Sequence, residues 1–332
     1  MAGLPPLERL DMSFELILPF LRPIERLLLD DSISEIMGNP DASWWYERDG
    51  IVHREATVSF DPSRLLTSLE VIANQLGKKL DEDNPVLHAQ LPDGSRLAAV
   101  IPPVVRPAAA MTIRKFTSRR YTVDDLISRG TLTPALADFL ETQIRDGRTL
   151  LISGGTGSGK TTLLQVMAQA IPDHERIVVI EDTAELRIRK PNVLAAECQT
   201  DTFKSNISFD DLLKSALRWR PDRIILGEVR GKEARTLLDS FNTGHYGSLA
   251  TIHANSARRA LSRFANLVMR SHPQATLSDV EAEIGEAVEF IIHIERRPGR
   301  RVVREVLALK GYDRSAKQFL LEPIYEVDHE PA

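Results

Sequence analysis

Cysteine is almost missing: Cys198 stands alone in 332 residues. No internal disulfide can form, so the fold does not depend on an oxidising compartment. Neither sign of charge dominates, since 42 basic and 47 acidic side chains leave a formal net charge of −5. That balance gives no general attraction to nucleic acid or to an anionic membrane, and no clustered basic stripe of the kind that grips DNA is present. Long apolar runs are lacking as well. The leading stretch "MAGLPPLERLDMSFELILPFLRPIERLLLDD" is interrupted by Glu15, Arg22, Glu25 and Arg26, which excludes a signal-peptide core and a membrane span. Neither an internal repeat nor a low-complexity tract is found. These absences leave a soluble cytoplasmic protein as the expectation, and the length suits two domains rather than one core.

What is present divides into two styles of sequence. Residues 1–115 read as an α+β domain. The apolar positions Phe14, Leu16, Ile17, Phe20, Leu21, Ile24, Leu27 and Leu28 predict an amphipathic helical segment, interrupted or bent by Pro19 and Pro23. It suits packing on its own domain; a place on a membrane surface is the alternative. "SWWYERDGIVHREATV" predicts a hairpin about Asp49-Gly50, and "LHAQLPDGSRLAAVIPP" a second about Pro92-Asp93-Gly94. Between them "DPSRLLTSLEVIANQL" reads as a helix with Asp61 as its cap and Pro62 at its first position. "AAMTIRKF" is a further short strand. Trp44, Trp45 and Tyr46 fit strand packing, with base stacking as the alternative.

A polar stretch, residues 116–130, marks the expected linker, and residues 131–332 then alternate strands and helices. "RTLLIS", "RIVVIED", "DRIILGEV" and "GSLATIHA" are rich in Ile, Val and Leu, as strands buried on both faces are. The pattern predicts a doubly wound, mainly parallel α/β sheet. The tail adds hairpin strands about Pro298-Gly299, and "NSARRALSRFANLVMR" a helix capped by Asn255 or Ser256. Arg258 and Arg259 on that helix suit a subunit contact or a solvated face.

"GGTGSGKT", from Gly154 to Thr161, fits G-x-x-x-x-G-K-[ST] between a predicted strand and a predicted helix. Gly154, Gly155, Thr156, Gly157, Ser158 and Gly159 form a loop whose curl points backbone N–H groups at phosphate oxygens. The helix that opens at Lys160, Thr161 and Thr162 adds its positive end. Lys160 reaches the β- and γ-phosphates and the Thr161 hydroxyl can ligate Mg²⁺. The expected ligands are therefore ATP and Mg²⁺. Hydrolysis also needs a carboxylate at the end of a neighbouring strand. Glu228 ends "DRIILGE" and Glu181-Asp182 end "RIVVIED", with Gly227 leaving room for the nucleotide. Spacing alone leaves open which acid holds the metal and which orients water.

"NPD", "LPDGSRL", "PPVV", "IRKF", "GGTGSGKTTL", "IEDTAEL", "LRWRPDRIILGEVRG" and "NTGHYGSLATIHANSA" together span most of the chain. With them the chain resembles the secretion ATPases of type II and type IV systems, and within those the conjugative-transfer ATPases of the TrbB type. The resemblance implies a RecA-like P-loop ATPase domain after a smaller α+β domain, and a hexameric ring with nucleotide held between the domains. It implies that Glu228 is the hydrolytic carboxylate, that Glu181 helps at the Mg²⁺ and water, and that Arg96 and Arg114 approach the phosphates. The implied setting is a conjugative type IV secretion machine at the inner face of the cytoplasmic membrane, with peripheral membrane association and machine components as partners. The short leading segment favours this over a pilus-assembly ATPase; a DNA translocase is the further alternative, against which the charge balance speaks.

His245 and His253 sit eight positions apart. On a continuous strand their rings would be roughly 26 Å apart, and two histidines with a lone cysteine make an incomplete metal site. The resemblance implies instead that both histidines lie beside the nucleotide and couple its γ-phosphate to domain movement.

Overall fold

The computed structural model describes residues 14–48, 50–116, 121–202 and 205–327, without side-chain detail over 199–206. The chain forms two compact units, Met1–Arg120 and Tyr121–Ala332.

In the first unit a 3₁₀ turn, Leu18–Ile24, leads into helix α1 (Glu25–Leu29). The α-helix begins only after Pro23, because a proline inside it would remove a hydrogen bond and clash with the preceding turn. Ile17, Leu21, Ile24, Leu27 and Leu28 are all buried, so this segment packs on its own domain. Strands β1 (Ile33–Gly38), β2 (Trp44–Arg48) and β3 (Ile51–Glu55) precede helix α2 (Pro62–Gln75). Strands β4 (Val86–Gln90), β5 (Arg96–Val100) and β6 (Ala110–Arg114) follow. They form one antiparallel sheet in the order β3-β2-β1-β6-β5-β4. Asp61 caps α2, its carboxylate accepting from the Arg64 N–H at 3.0 Å. The β2–β3 hairpin turns at Gly50, whose φ of 81° favours glycine; its partner Asp49 lies outside the described residues. Trp44 is 2% exposed and stacks on Phe60, while Arg54 covers Trp45 and Arg48 covers Tyr46. Trp44 is thus committed to the core, and a guanidinium lies over the ring of each of the other two.

The second unit opens with helix α3 (Val123–Ser128), closed by a capping box between Thr122 and Asp125. Its Leu126 is buried with this unit's core, so the span 116–130 is more than a linker. Helix α4 (Pro134–Arg145) leads to β7 (Leu150–Gly154) and helix α5 (Lys160–Met167). Then come β8 (Ile177–Glu181), β9 (Val193–Glu197) and a small ladder of β10 (Gln199–Thr202) with β11 (Ser205–Ile207). Helix α6 (Phe209–Ala216), β12 (Arg223–Val229), helix α7 (Glu233–Asn242) and β13 (Leu249–His253) follow. Helices α8 (Ala257–Ser271) and α9 (Leu277–Ala287) precede β14 (Phe290–Arg297), β15 (Arg300–Asp313) and β16 (Gln318–Glu326).

The large sheet runs β16-β15-β14-β7-β13-β12-β8-β9. From β14 to β9 every neighbour is parallel, and β15 and β16 extend one side as an antiparallel hairpin. Both faces are covered, which explains the unbroken apolar strands. Leu213, Leu237, Phe241, Phe264 and Ile284 bring α6 to α9 onto one face, against Val178, Ile180, Leu226 and Ile252. Leu126, Leu140, Leu163 and Leu164 bring α3 to α5 onto the other, against Ile152, Val179 and Ile225.

Candidate functional site

The motif loop leaves β7 at Gly154 and enters α5 at Lys160, at the edge of the sheet where the parallel strands end. Gly157 and Gly159 have φ of 68° and 95°, a left-handed backbone that only glycine adopts freely. Such alternation of handedness turns successive N–H groups toward one point and makes an anion-binding concavity. The Lys160 ammonium, nearly buried, donates to the carbonyls of Gly154 at 3.1 Å and Gly155 at 2.9 Å. The Ser158 hydroxyl is buried in the loop with no hydrogen-bond partner. A buried polar atom left without a partner is costly, and an anion in the concavity would supply one.

Registers place the other residues around this loop. His253 lies directly across from Gly154 on β13. Glu181 ends β8, one residue beyond the Ile180–Leu226 pair and therefore beside Gly227. Strand alternation puts side chains two residues apart on one face. Val179 and Leu249 pack on the α5 side, so Glu181 and His253 face that side too. Glu228 reaches it by a different route. Leu226 pairs with Ala250 but Val229 pairs with Ile252, so β12 carries one extra residue at Gly227-Glu228. Val229 is thereby returned to the same core as Leu226, and Glu228 is turned to the α5 side. A bulge re-aims a side chain in just this way.

The carboxylates are already engaged. Glu181 is 4% exposed, and its Oε1 accepts from the backbone N–H of Glu185 at 3.0 Å and Leu186 at 2.9 Å. Glu228 Oε2 accepts from Arg230 Nε at 2.9 Å and Nη2 at 2.7 Å, while Arg230 Nη1 reaches Asp182 at 3.1 Å. Arg230 thus clasps the ends of β12 and β8. Burial disfavours its charge, but hydrogen bonds and attraction from Glu228 and Asp182 outweigh that and raise its pKa. The sequence suggests that the space beside Gly227 admits nucleotide. Instead Glu181 Cγ lies 3.2 Å from where a Cβ there would stand, so the missing side chain makes room for Glu181.

His245 requires a correction. It precedes β13, and its Nδ1 donates to the carbonyl of Pro221 at 3.1 Å, just before β12 begins. Parallel strands start at one edge of a sheet and finish at the other. His245 is therefore at the starting edge and the phosphate loop at the finishing edge, separated by roughly 13 Å of strand. Within one chain only His253 of the pair is beside the loop. In the first unit, Arg96 on β5 pairs directly with Arg114 on β6, so the two candidate arginines stand side by side.

Three nearby residues escaped the sequence reading. Arg230 lies in "GEVRG", directly after the strand, where the sequence alone gives it no separate role. His293 sits next to Ser153 on β14, its Nδ1 2.9 Å from the Ser153 hydroxyl, immediately before Gly154. Arg301 donates from Nε to the Gly157 carbonyl at 3.1 Å. The density of arginine in "ERRPGRR" could have flagged the last; an isolated histidine in an apolar strand carries no such signal.

Two carboxylates and a hydroxyl fit Mg²⁺, which keeps most of its waters and takes few protein ligands. Among the described residues there is no cluster of three or more His, Cys, Asp or Glu side chains, the arrangement a structural transition-metal site would need. Also among the described residues, no helix is long and apolar enough to cross a membrane.

A family model described as Type II/IV secretion system protein matches residues 20–310. The conjugal transfer protein TrbB of Rhizobium radiobacter is 39% identical over 292 residues, covering 86% of each chain. The type IV secretion system protein VirB11 of Bartonella quintana is 32% identical over 330 residues, covering 88% of this chain and 92% of that one. Among solved structures, the ATPase DotB of Legionella pneumophila shares the fold, with a TM-score of 0.60 at 20% identity over 87% of this chain and 80% of its own.

Proposed function

The chain belongs to the type II/IV secretion system protein family, and from that premise we propose that it is a motor ATPase of a conjugative type IV secretion machine, working as a hexameric ring at the inner face of the cytoplasmic membrane. The observation that carries the reading is the bulge in β12, which turns Glu228 to the face shared by Glu181, His253 and the phosphate-loop helix.

The chain is an ATPase, and its residues divide the work. The N–H groups from Gly155 to Thr161, with the start of α5, receive the β- and γ-phosphates. Lys160 exchanges its two carbonyl partners for phosphate oxygens, a stronger charge-assisted contact. Thr161, Glu181 and Glu228 would hold Mg²⁺ directly or through water, and the ion would supply neutralisation of phosphate charge. Glu228 orients a water so that its oxygen bonds to the γ-phosphorus while the bond to the β–γ bridging oxygen breaks, giving ADP and phosphate. Arg230 holds only Oε2 of that carboxylate, which leaves Oε1 to meet the water. His253 donates to the γ-phosphate and registers its presence or loss. Arg96 and Arg114 neutralise charge in the transition state, a task suited to the planar guanidinium. His245 has a structural task at the other edge of the sheet.

The decisive comparison is ATP turnover by the wild type and Glu228→Gln at matched nucleotide occupancy. Phosphate release should fall by roughly a hundredfold or more while ATP binding persists. Unchanged turnover would sink the assignment. Light scattering with and without Mg²⁺ and nucleotide tests the ring.

A further inference from the structure

The β14–β15 hairpin carries Arg296, Arg297, Arg300, Arg301 and Arg304 within nine residues. Arg297 and Arg304 each donate to Glu295 Oε1 at 3.3 Å. Arg301 is employed differently. Its Nε holds the Gly157 carbonyl at 3.1 Å, and its Cδ lies 3.0 Å from where a Cβ on Gly159 would stand. The stem of Arg301 thus lies along the phosphate loop, over the two glycines with left-handed backbone. Nothing else in the described protein bonds to its guanidinium, which leaves the N–H groups of Nη1 and Nη2 at the loop's rim.

Strand order gives this position its meaning. β7, which delivers the loop, has β13, β12 and β8 on one side and β14 on the other. His253, Glu228 and Glu181 all stand on the first side. A triphosphate bound along the loop with its γ-phosphate toward those acids directs its α-phosphate to the second side, where Arg301 waits. We propose that Arg301 is a nucleotide-binding residue that contacts the α-phosphate of ATP and ADP while its Nε fixes Gly157. The chemistry suits arginine and not lysine: one edge of a planar fork anchors to the loop while the other pair of nitrogens meets phosphate oxygens. The inference rests on the proposed ATPase reading and adds to it a contact at the end of the nucleotide away from hydrolysis.

The test measures ADP and ATP binding by calorimetry, together with steady-state turnover, for the full-length wild type, Arg301→Gln and Arg301→Lys. Arg301→Gln should weaken ADP and ATP by the same factor, about tenfold to a hundredfold for a lost charge-assisted bond, raising KM with kcat retained. Arg301→Lys should recover only part of that loss. ADP with sulfur replacing a non-bridging α-oxygen separates contact from loop shaping. One diastereomer should bind the wild type less well than ADP, and Arg301→Gln should erase that preference while leaving the penalty for β-sulfur substitution unchanged. ADP affinity within about twofold of wild type would overturn the inference, as would a fall in kcat with the α-sulfur preference intact, because Arg301 would then act only through the loop. A wild type that binds no nucleotide would instead overturn the ATPase reading, and this contact with it.

Discussion

Two adjacent glycines of the phosphate loop should respond in opposite ways to one methyl group. Gly154 closes β7 between β13 and β14. A Cβ there would overlap the carbonyl oxygen of Ile294, lie 2.5 Å from Ser158 Oγ and 3.2 Å from Ile294 Cγ2. The Ser158 side chain could rotate away, but the carbonyl is backbone. Relief would have to shift β14, which is paired with β7 from Phe290 to Ile294 and with β15 along its other side. Overpacking of this kind costs about 1–3 kcal/mol, and one weakened ladder bond adds about 1 kcal/mol. Gly154→Ala should therefore lose roughly 2–4 kcal/mol. At Gly155 a Cβ meets no atom within 4 Å, and the residue is not among those with positive φ. There alanine restricts the unfolded chain without native strain, so the expected change lies between zero and a gain of about 1 kcal/mol. For a unit of this size 1 kcal/mol moves Tm by about 2–4 °C, so Gly154→Ala should melt roughly 5–15 °C lower. Calorimetry without nucleotide reads this, on the transition that ADP raises in the wild type. Equal losses for the two variants, or a Gly154→Ala transition within about 1 °C of wild type, would refute the packing argument.

The histidines give a second contrast. His253→Ala should leave ATP affinity nearly intact and depress hydrolysis roughly tenfold or more, whereas His245→Ala should spare hydrolysis and cost about 1 kcal/mol of stability through its lost bond to Pro221; the same hydrolytic defect in both would return His245 to the site. His293 supplies a pH test. Burial lowers its pKa below the ordinary 6.5, aided by Arg304 and Lys160 and opposed by Glu305 and Glu295. Below pH 6.5 the unfolded chain then takes up a proton that the folded chain refuses. The contribution is thus present above that pH and is lost as pH falls. Chemical denaturation across this range should show the stability difference between wild type and His293→Gln growing from acid to neutral pH, and a pH-independent difference would contradict the assignment.

Local chemistry made much of this legible beforehand. The phosphate loop declares itself because its residue types answer to local demands: Gly157 and Gly159 to a left-handed backbone, Lys160 and Thr161 to the chemistry of phosphate and Mg²⁺. Caps are equally local. Asp61 accepts from Arg64 N, and Ser256, rather than Asn255, accepts from Arg259 N at 3.1 Å. Apolar runs for β7, β8, β12 and β13 followed from burial on both faces. None of these needs knowledge of which strand neighbours which.

Position across the sheet was another matter, and the histidine pair shows why. The spacing of His245 and His253 says nothing about where the strand between them starts, and parallel strands separate the two ends of a segment as surely as a helix of the same length. Only the register of β13 on β7 places His253 at Gly154 and sends His245 to the opposite edge. Glu228 carries the same lesson in reverse. Simple alternation from Leu226 would turn it to the face of α6 to α9, away from the phosphate loop. The extra residue at Gly227-Glu228, invisible without the pairing of Val229 to Ile252, brings it to the face of α5. The glycine belongs to the same place: with Glu181 Cγ only 3.2 Å from its absent Cβ, a side chain at 227 would press on Glu181, the carboxylate that the bulge sets on one face with Glu228. Glycine, bulge and the Arg230 clasp are thus one construction, in which each part would be out of place without the others.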